Sequence, residues 1–312
     1  MIYRKFDKLD IKTSLLGFGC MRFPTLKDGK IDETKAEQMI DLAIKNGVNY
    51  IDTAYPYHNG DSEPFLGKIL NKYPRNSYFL ATKLPIWAIN TKDDVYRIFD
   101  EQLQRLETEY IDFYLLHAMN KDYFAKVKEL GIIEICEEFR KEGKIKYLGF
   151  SFHDSYEVFD EILNHYHWDF CQIQFNYMDT EIQAGLKGYE LAKAKDIPLI
   201  VMEPIKGGLL AKLPKEISMM FSQNGNRKSD SSYALRYIAS FDHVKVILSG
   251  MSTLEQVEDN LDTFNNYTEL SKEEHITIEK VVSSLKSRLK NGCTGCRYCM
   301  PCPYGVDIPN NF

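Results

Sequence analysis

Eight short apolar runs recur along this chain, and their regular spacing restricts the folds open to it. Each run is continuous rather than alternating and rich in β-branched and aromatic residues, which is typical of strands buried on both faces. The runs end near residues 20, 52, 83, 117, 151, 175, 203 and 249, so most steps are about thirty residues, the length of one βα unit. They are LLGFGCM (15–21), YIDTA (50–54), YFLATKLP (78–85), DFYLLHA (112–118), IKYLGFSF (145–152), FCQIQFNY (170–177), PLIVMEP (198–204) and VKVILSG (244–250).

Segments with helical periodicity separate the runs. The segment 32–47 begins at a potential N-cap, Asp32, and ends at Gly47, and similar segments span 91–108, 132–144 and 189–196. This alternation over roughly 250 residues predicts an α/β fold, a (β/α)8 TIM barrel over residues 1–290. A doubly wound sheet is the alternative, but GFGCMR does not match the G-x-G-x-x-G turn typical of that fold. The Gly-rich and polar connection 205–232 is predicted to be a lid or a flexible loop.

Composition and charge exclude several classes of function. The 312 residues carry a formal net charge of −6, which argues against a nucleic-acid partner. No apolar run approaches the roughly 20 residues that span a bilayer, and no apolar stretch follows the first charged residues as a signal peptide requires. We therefore expect a cytoplasmic protein without a membrane partner. The 20 Tyr and 18 Phe favour an aromatic-rich core over an aromatic-lined pocket.

Titratable residues occupy the ends of three successive predicted strands. Asp52 ends the second strand, Tyr57 follows five residues later, Lys83 ends the third strand and His117 ends the fourth. Singly, each is more often a solvated or structural residue. Together they suit proton donation to a carbonyl, because a neighbouring ammonium is expected to lower the tyrosine pKa from about 10. The carboxylate would hold the lysine, and the histidine would orient the carbonyl oxygen.

Five stretches resemble the aldo-keto reductases, in order, over most of residues 1–265. The resemblance implies that Asp52, Tyr57, Lys83 and His117 form a catalytic tetrad, with Tyr57 as the general acid and base. The family's Asp-to-Tyr spacing of five selects Tyr57 over the neighbouring Tyr55. The stretches are GVNYIDTAYPYHNGDSEPFLG, LATKLP, YIDFYLLH, IKYLGFSFHD and VILSGMSTLEQVEDNL.

The same resemblance implies an extended NADH or NADPH bound without a Rossmann motif. It puts Ser151 and Gln172 on the nicotinamide carboxamide, with Met202 where the family usually stacks an aromatic ring. It puts Glu203, Gly207 and Gly208 by the pyrophosphate. It puts the following residues at the adenosine end: Ser249, Gly250, Ser252, Gln256 and Asn260.

Two departures from the family pattern bear on the cofactor. The position after Ser151, often Asn in the family, is Phe152. Ser249 and Gln256 stand where the family commonly carries the Lys and Arg that hold the 2′-phosphate of NADP. A phosphomonoester favours cationic partners, so these replacements favour NADH over NADPH. Arg227 and Lys228 on the long connection are the alternative cations for holding a 2′-phosphate.

Four cysteines lie close together near the end of the chain. Cys293, Cys296, Cys299 and Cys302 follow C-x2-C-x2-C-x2-C-P, which is one residue short of the bacterial iron–sulfur run. In a reducing compartment this pattern favours a [4Fe-4S] cluster, with zinc as the alternative and a disulfide-rich tail as the least favoured. It resembles the tail of a reductase subgroup with a ferredoxin-like C-terminal region, usually in longer chains. Residues 291–312 are therefore predicted to be a short cysteine-rich tail, with truncation of that tail left open.

Two functions follow from these features. The first is an NAD(P)H-dependent aldo-keto reductase that converts an aldehyde or ketone to an alcohol, with the proton coming from Tyr57. The alternative is an electron-transfer or redox-sensing protein that uses the cluster, with the barrel as a scaffold and a redox protein docking at the tail. A hydride carries two electrons and one cluster accepts one, so the sequence favours the reductase.

Overall fold

The chain begins with a hairpin that the strand pattern did not predict. The computed structural model describes residues 1–221, 228–288 and 299–311. Strands β1 (Tyr3–Phe6) and β2 (Ile11–Ser14) pair antiparallel. Arg4 fixes this hairpin to a distant part of the chain, because its guanidinium donates hydrogen bonds to the carbonyls of Ala239, Phe241 and Val244.

All eight predicted strands are present, and they close into one parallel barrel. Each strand pairs with its sequence neighbour, and the last pairs with the first, so the described strands of the ring have no open edge. The predicted (β/α)8 fold is confirmed. The strands are β3 (Leu16–Gly19), β4 (Tyr50–Asp52), β5 (Phe79–Leu84), β6 (Ile111–Met119), β7 (Ile145–Phe152), β8 (Phe170–Gln174), β9 (Leu199–Met202) and β10 (Val244–Gly250).

Helices surround the barrel, and the first of them begins at the N-cap that the sequence predicted. The Asp32 carboxylate accepts a hydrogen bond from the Lys35 N–H at the start of the first helix, and Gly47 has a φ of 92° just beyond its end. The helices are α1 (Glu33–Lys45), α2 (Ser62–Leu70), α3 (Lys92–Arg105), α4 (Lys121–Leu130), α5 (Ile132–Lys141), α6 (Tyr156–His165), α7 (Gly185–Ala194), α8 (Lys215–Phe221), α9 (Asp230–Ala239), α10 (Leu254–Asn265), α11 (Lys272–Arg288) and α12 (Ile308–Asn311).

The barrel interior is packed with aromatic side chains, as the composition favoured. Phe113 contacts Phe6, Tyr50 and Phe170 edge to face, with ring centroids 5.7, 4.9 and 5.0 Å away. These residues lie at or near the first residues of their strands, and Phe6 comes from the hairpin. The hairpin therefore covers the N-terminal end of the barrel and leaves the C-terminal strand ends for a site.

The long connection after β9 contains more structure than a simple loop. Helix α8 buries Ile217 and Phe221 in a small apolar cluster that also includes Val281 and Leu285 of α11. Residues 222–227 lie outside the described part of the chain. Within the described residues, we find no helix whose length and apolar character would let it cross a bilayer.

Candidate active site

Three neighbouring strands bring the four predicted catalytic side chains together at the C-terminal end of the barrel. Asp52 is the last residue of β4, Lys83 lies one residue before the end of β5, and His117 lies in β6. Tyr57 begins a single helical turn, Tyr57–Gly60, in the loop after β4. Because β4, β5 and β6 are adjacent and parallel, their ends meet on one rim.

Lys83 lies at the centre of this group, and its three N–H groups are all used. Its Nζ donates to Asp52 Oδ1 at 2.7 Å, to the Thr53 carbonyl at 2.6 Å and to the Tyr57 hydroxyl at 3.4 Å. The Lys83 and Asp52 side chains are 1% and 3% exposed, so water screens this ion pair little. The Tyr57 oxygen accepts from Lys83, which leaves the phenol proton for another partner.

His117 faces Tyr57 as a neutral imidazole. The two rings are roughly perpendicular, with centroids 6.2 Å apart. The Trp87 ring packs against His117, with its centroid 5.0 Å from that of the imidazole. Burial, helped by the nearby Lys83 charge, lowers the His117 pKa well below its usual range. Its Nδ1 is buried and has no hydrogen-bond partner among the described residues.

The pKa of Tyr57 moves opposite to the direction expected from the sequence. Burial of its hydroxyl, followed by the Asp52 charge, raises that pKa well above 10. The physical reason is that Asp52 already balances the Lys83 ammonium at 2.7 Å, so little net positive charge is left to favour a phenolate. Tyr57 is therefore a protonated phenol. The competitor Tyr55 instead donates to Glu101, 3.0 Å away.

One cavity of 610 Å³ joins the tetrad to every residue proposed for the dinucleotide. It runs from the ends of β4 to β6 across the ends of β7 to β10 and reaches the start of α10. The residues of the predicted cofactor set that line it are Ser151, Gln172, Met202, Glu203, Gly207, Gly208, Ser249, Gly250, Ser252, Gln256 and Asn260.

At the tetrad end of this cavity, polar side chains are held in fixed positions. Ser151 Oγ accepts from the Ala118 N–H at 2.8 Å, and Gln172 Nε2 donates to the Met202 sulfur at 3.4 Å. Gln172 Oε1 is buried and has no partner in the described chain. Phe152 is fully buried in the apolar core, so it does not replace the polar residue that the family often has there.

At the α10 end, hydrogen-bonded polar groups line the cavity beside the carboxylates of Glu255 and Asp259. Ser249 Oγ accepts from Asn260 Nδ2 at 2.6 Å, and Gln256 Oε1 accepts from the Ser252 N–H at 2.7 Å. Of the two cations considered as substitutes, Lys228 pairs with Asp262 at 3.1 Å, and Arg227 lies outside the described residues.

Comparison with known proteins decides the family. The sequence profile of the Aldo/keto reductase family matches residues 15–283. The chain belongs to this family. The enzyme is 28% identical over 296 residues to the uncharacterized oxidoreductase YqkF of Bacillus subtilis, and the alignment covers 84% of this chain and 90% of that protein. It is also 28% identical over 221 residues to the NADH-specific methylglyoxal reductase of Escherichia coli, covering 64% and 66% of the two chains.

Solved structures match this reductase over nearly its whole length. The holo form of aldo-keto reductase AKR11C1 from Bacillus halodurans superposes with a TM-score of 0.76 at 28% identity, covering 90% of this chain and 96% of that one. A Klebsiella pneumoniae aldo/keto reductase in complex with NADP and acetate has a TM-score of 0.72 at 21% identity, covering 88% and 93%, a likeness of fold alone.

Sequence reasoning missed several residues that line the cavity. Arg22 follows the end of β3, and its Nη2 is buried without a partner among the described atoms. His153 follows two residues after Ser151, and burial lowers its pKa to about 4. Both lie just past a strand end, which is the signal that identified the tetrad, but the sequence assigned neither a role, although His153 lies within the quoted stretch IKYLGFSFHD.

The cysteine tail of this reductase lies only partly within the described chain. Cys299 is exposed and Cys302 is half-buried, whereas Cys293 and Cys296 lie outside the described residues. Within residues 1–221, 228–288 and 299–311, no group of three potential metal ligands is placed to hold an ion. The comparisons do not extend the family assignment to the iron–sulfur subgroup.

Proposed function

We propose that this enzyme reduces an aldehyde or ketone to an alcohol, using NADH or NADPH and the tetrad of Asp52, Tyr57, Lys83 and His117. The observation that carries the proposal is the Tyr57 hydroxyl, hydrogen-bonded to Lys83 inside a cavity that His117 also lines. The named methylglyoxal activity of the Escherichia coli relative supports a small carbonyl compound as the substrate class.

The cavity residues fit a nicotinamide dinucleotide. The buried and unpartnered Gln172 Oε1 is an acceptor suited to a carboxamide N–H, and Ser151 lies on the adjacent strand. An added Cβ on Gly208 would meet no atom within 4 Å, so the backbone there borders open space. When bound, the nicotinamide supplies the hydride.

Each tetrad residue then has one task. Tyr57 gives its proton to the carbonyl oxygen as the carbon becomes an alcohol carbon, and Lys83 stabilises the phenolate that remains. Asp52 holds the ammonium in place through the 2.7 Å ion pair. His117, as a neutral imidazole, donates a hydrogen bond that orients the carbonyl oxygen.

The test is a Tyr57→Phe variant with Tyr55→Phe as its matched control. Removing the Tyr57 hydroxyl should lower kcat by about 10²- to 10⁴-fold, the usual contribution of a general acid, with dinucleotide affinity retained. Tyr55→Phe should keep kcat within about twofold, because its hydroxyl contacts Glu101 rather than the cavity. Turnover is followed by dinucleotide absorbance with methylglyoxal as probe. Unchanged kcat in Tyr57→Phe would remove the assignment.

Two finer features remain proposals. NADH is favoured over NADPH because Ser249 and Gln256 are uncharged and Lys228 is paired with Asp262. We also retain the division into a reductase barrel, residues 1–290, and a cysteine tail, residues 291–312. The [4Fe-4S] cluster, the zinc alternative and a redox partner at the tail stay predictions of the sequence.

A further inference from the structure

The turn after β9 has an unusual backbone. Glu203 and Lys206 have positive φ values of 56° and 49°, and Gly207 and Gly208 have values of 63° and 105°. Glycine adopts this left-handed region freely, but a side chain on Glu203 or Lys206 crowds the backbone there. Such residues keep this conformation only when surrounding contacts hold them in it.

Lys206 is held by a buried ion pair. Its Nζ donates to both carboxylate oxygens of Asp179, at 2.7 and 2.6 Å, and the two side chains are 6% and 4% exposed. Asp179 Oδ2 also accepts from Gln174 Nε2 and Asn176 Nδ2, each at 3.1 Å. The carboxylate is therefore fully hydrogen-bonded, as a charge removed from water must be.

The same cluster also fixes the beginning of the turn. Asn176 Nδ2 donates to the Glu203 carbonyl at 3.1 Å, while Asn176 Oδ1 accepts from the N–H groups of Met178 and Asp179 at 3.0 Å. The two left-handed residues, Glu203 and Lys206, are thus tied to one rigid group after β8. Strand β8 and strand β9 are neighbours in the barrel.

This turn forms the cavity wall at which the dinucleotide phosphates are proposed to lie. Glu203, Gly207 and Gly208 line the cavity, whereas Lys206 and Asp179 stand behind the wall and do not line it. The ion pair therefore adjoins the turn without lining the cavity.

We propose that Lys206 and Asp179 are positioning residues for dinucleotide binding. Their ion pair holds residues 203–208 in the left-handed conformation that turns the Gly207–Gly208 backbone toward the cavity. This inference rests on the proposed function, because it concerns how the same site is shaped.

The test compares four variants of the full chain. Lys206→Met and Asp179→Asn each remove one charge while keeping the side-chain shape. Lys206→Gly removes the side chain and the backbone crowding together, and Lys206→Arg keeps the charge. Lys215→Met is the matched control, since Lys215 is exposed on the same connection and does not line the cavity.

Three measurements separate positioning from ordinary support: the Kd for NADH and NADPH by titration, kcat at saturating dinucleotide, and Tm. We expect Lys206→Met and Asp179→Asn to raise the Kd about tenfold or more, with kcat within about twofold. Lys206→Gly should lose the same affinity although its backbone is relaxed, Lys206→Arg should recover most of it, and Lys215→Met should match the wild type.

Two results would overturn the proposal. A lower Tm with an unchanged Kd in both Lys206→Met and Asp179→Asn would make the pair a structural contact only. Full affinity in Lys206→Gly would show that the pair does not hold the turn. If Lys206→Met fails to fold, Asp179→Asn and Lys206→Arg decide by the same criteria. A wild-type enzyme that binds neither dinucleotide would instead overturn the proposed function, and this inference with it.

Discussion

At Tyr57, the charge of the neighbouring lysine is already balanced. Lys83 donates to Asp52 at 2.7 Å and to the Tyr57 hydroxyl at 3.4 Å, so the lysine is shared between a carboxylate and the phenol. The raised Tyr57 pKa implies that the acid form persists across neutral and mildly basic pH. The arrangement therefore keeps the phenol proton of Tyr57 next to Lys83, which can stabilise the phenolate formed when that proton leaves.

We expect Glu203 to make dinucleotide affinity depend on pH. Its carboxylate accepts the Gly207 N–H at 2.6 Å, and burial raises its pKa above the usual 4.5, opposed by nearby Arg22. A bound phosphate would raise that pKa further, so binding takes up a proton. Affinity should therefore be highest below the Glu203 pKa of the free enzyme, and fall as pH rises from that value to the higher pKa of the complex.

Glu203→Gln should bind NADH about tenfold more tightly at neutral pH and show a flatter pH dependence, because the repelling charge is absent. The neutral amide oxygen can still accept from Gly207. Titrations from about pH 5 to about pH 8 measure this. Glu181→Gln, an exposed carboxylate outside the cavity, is the control. Weaker binding by Glu203→Gln at every pH would contradict the prediction.

The positions of individual residues in the site were predicted well where the residues lie at strand ends, and poorly elsewhere. Asp52, Lys83 and His117 were found because barrel strands put their last residues on one rim. The Lys206–Asp179 pair was missed because its partners lie 27 residues apart and neither ends a strand. The direction of the Tyr57 pKa shift was missed because it depends on burial and on the Lys83–Asp52 distance.

Among the elements, α2 approaches its neighbour unusually closely. Gly67 lies on the face of α2 that contacts the end of α3, and an added Cβ would lie 2.4 Å from the Arg105 carbonyl oxygen. The next contact is the Leu106 carbonyl carbon at 2.8 Å, so both neighbours are backbone atoms that cannot rotate away. The position therefore requires glycine for space rather than for its φ angle.

Gly67→Ala should destabilise the fold, although alanine is the better helix former. Alanine contributes up to about 1 kcal/mol of helix propensity, whereas forcing an atom into packed backbone costs about 1–3 kcal/mol. Because the obstructing atoms are backbone, the upper part of that cost applies, and a net loss of about 1–2 kcal/mol follows, measured by urea unfolding. Lys68→Ala, exposed on the same helix, should change stability by about 0.5 kcal/mol or less. Equal stability of Gly67→Ala and wild type would refute this packing.

The sequence predicted long periodic elements better than short ones. Helix α1 was anticipated from its caps and apolar spacing, α3 from its apolar spacing, and every barrel strand from its apolar run. The hairpin and α2 were missed because β1 and β2 are four residues each and α2 is nine, too short for a distinct period. Helix α8 was missed because its Gly- and polar-rich surroundings indicated a loop.

At the scale of the whole molecule, the described part of the cysteine tail does not line the reductase cavity. The residues that line the cavity run from Gly19 to Asn260, and no described residue of 299–311 is among them. Helix α11, by contrast, buries Ile278, Val281 and Leu285 against the α8 region and belongs to the barrel domain.

A chain ending at Lys290 should therefore retain the fold and the site. We expect its Tm, its Kd for NADH and its kcat to stay close to those of the full chain, with kcat within about twofold. A matched truncation before α11 should unfold, because it exposes the buried face of the α8 cluster. Lost turnover in a folded 1–290 chain would mean that the tail contributes to catalysis.

Closure of the barrel also limits when the chain can complete its fold during synthesis. Strand β3 cannot pair with β10 until β10 has been synthesised. Likewise, Arg4 cannot donate to its carbonyl partner until the residue 237 positions further along the chain has been added. At roughly 5–20 residues per second, the ribosome needs roughly ten to fifty seconds to supply these partners. Throughout that interval the amino-terminal strands have an unpaired edge, and this is when a chaperone has the most surface to protect.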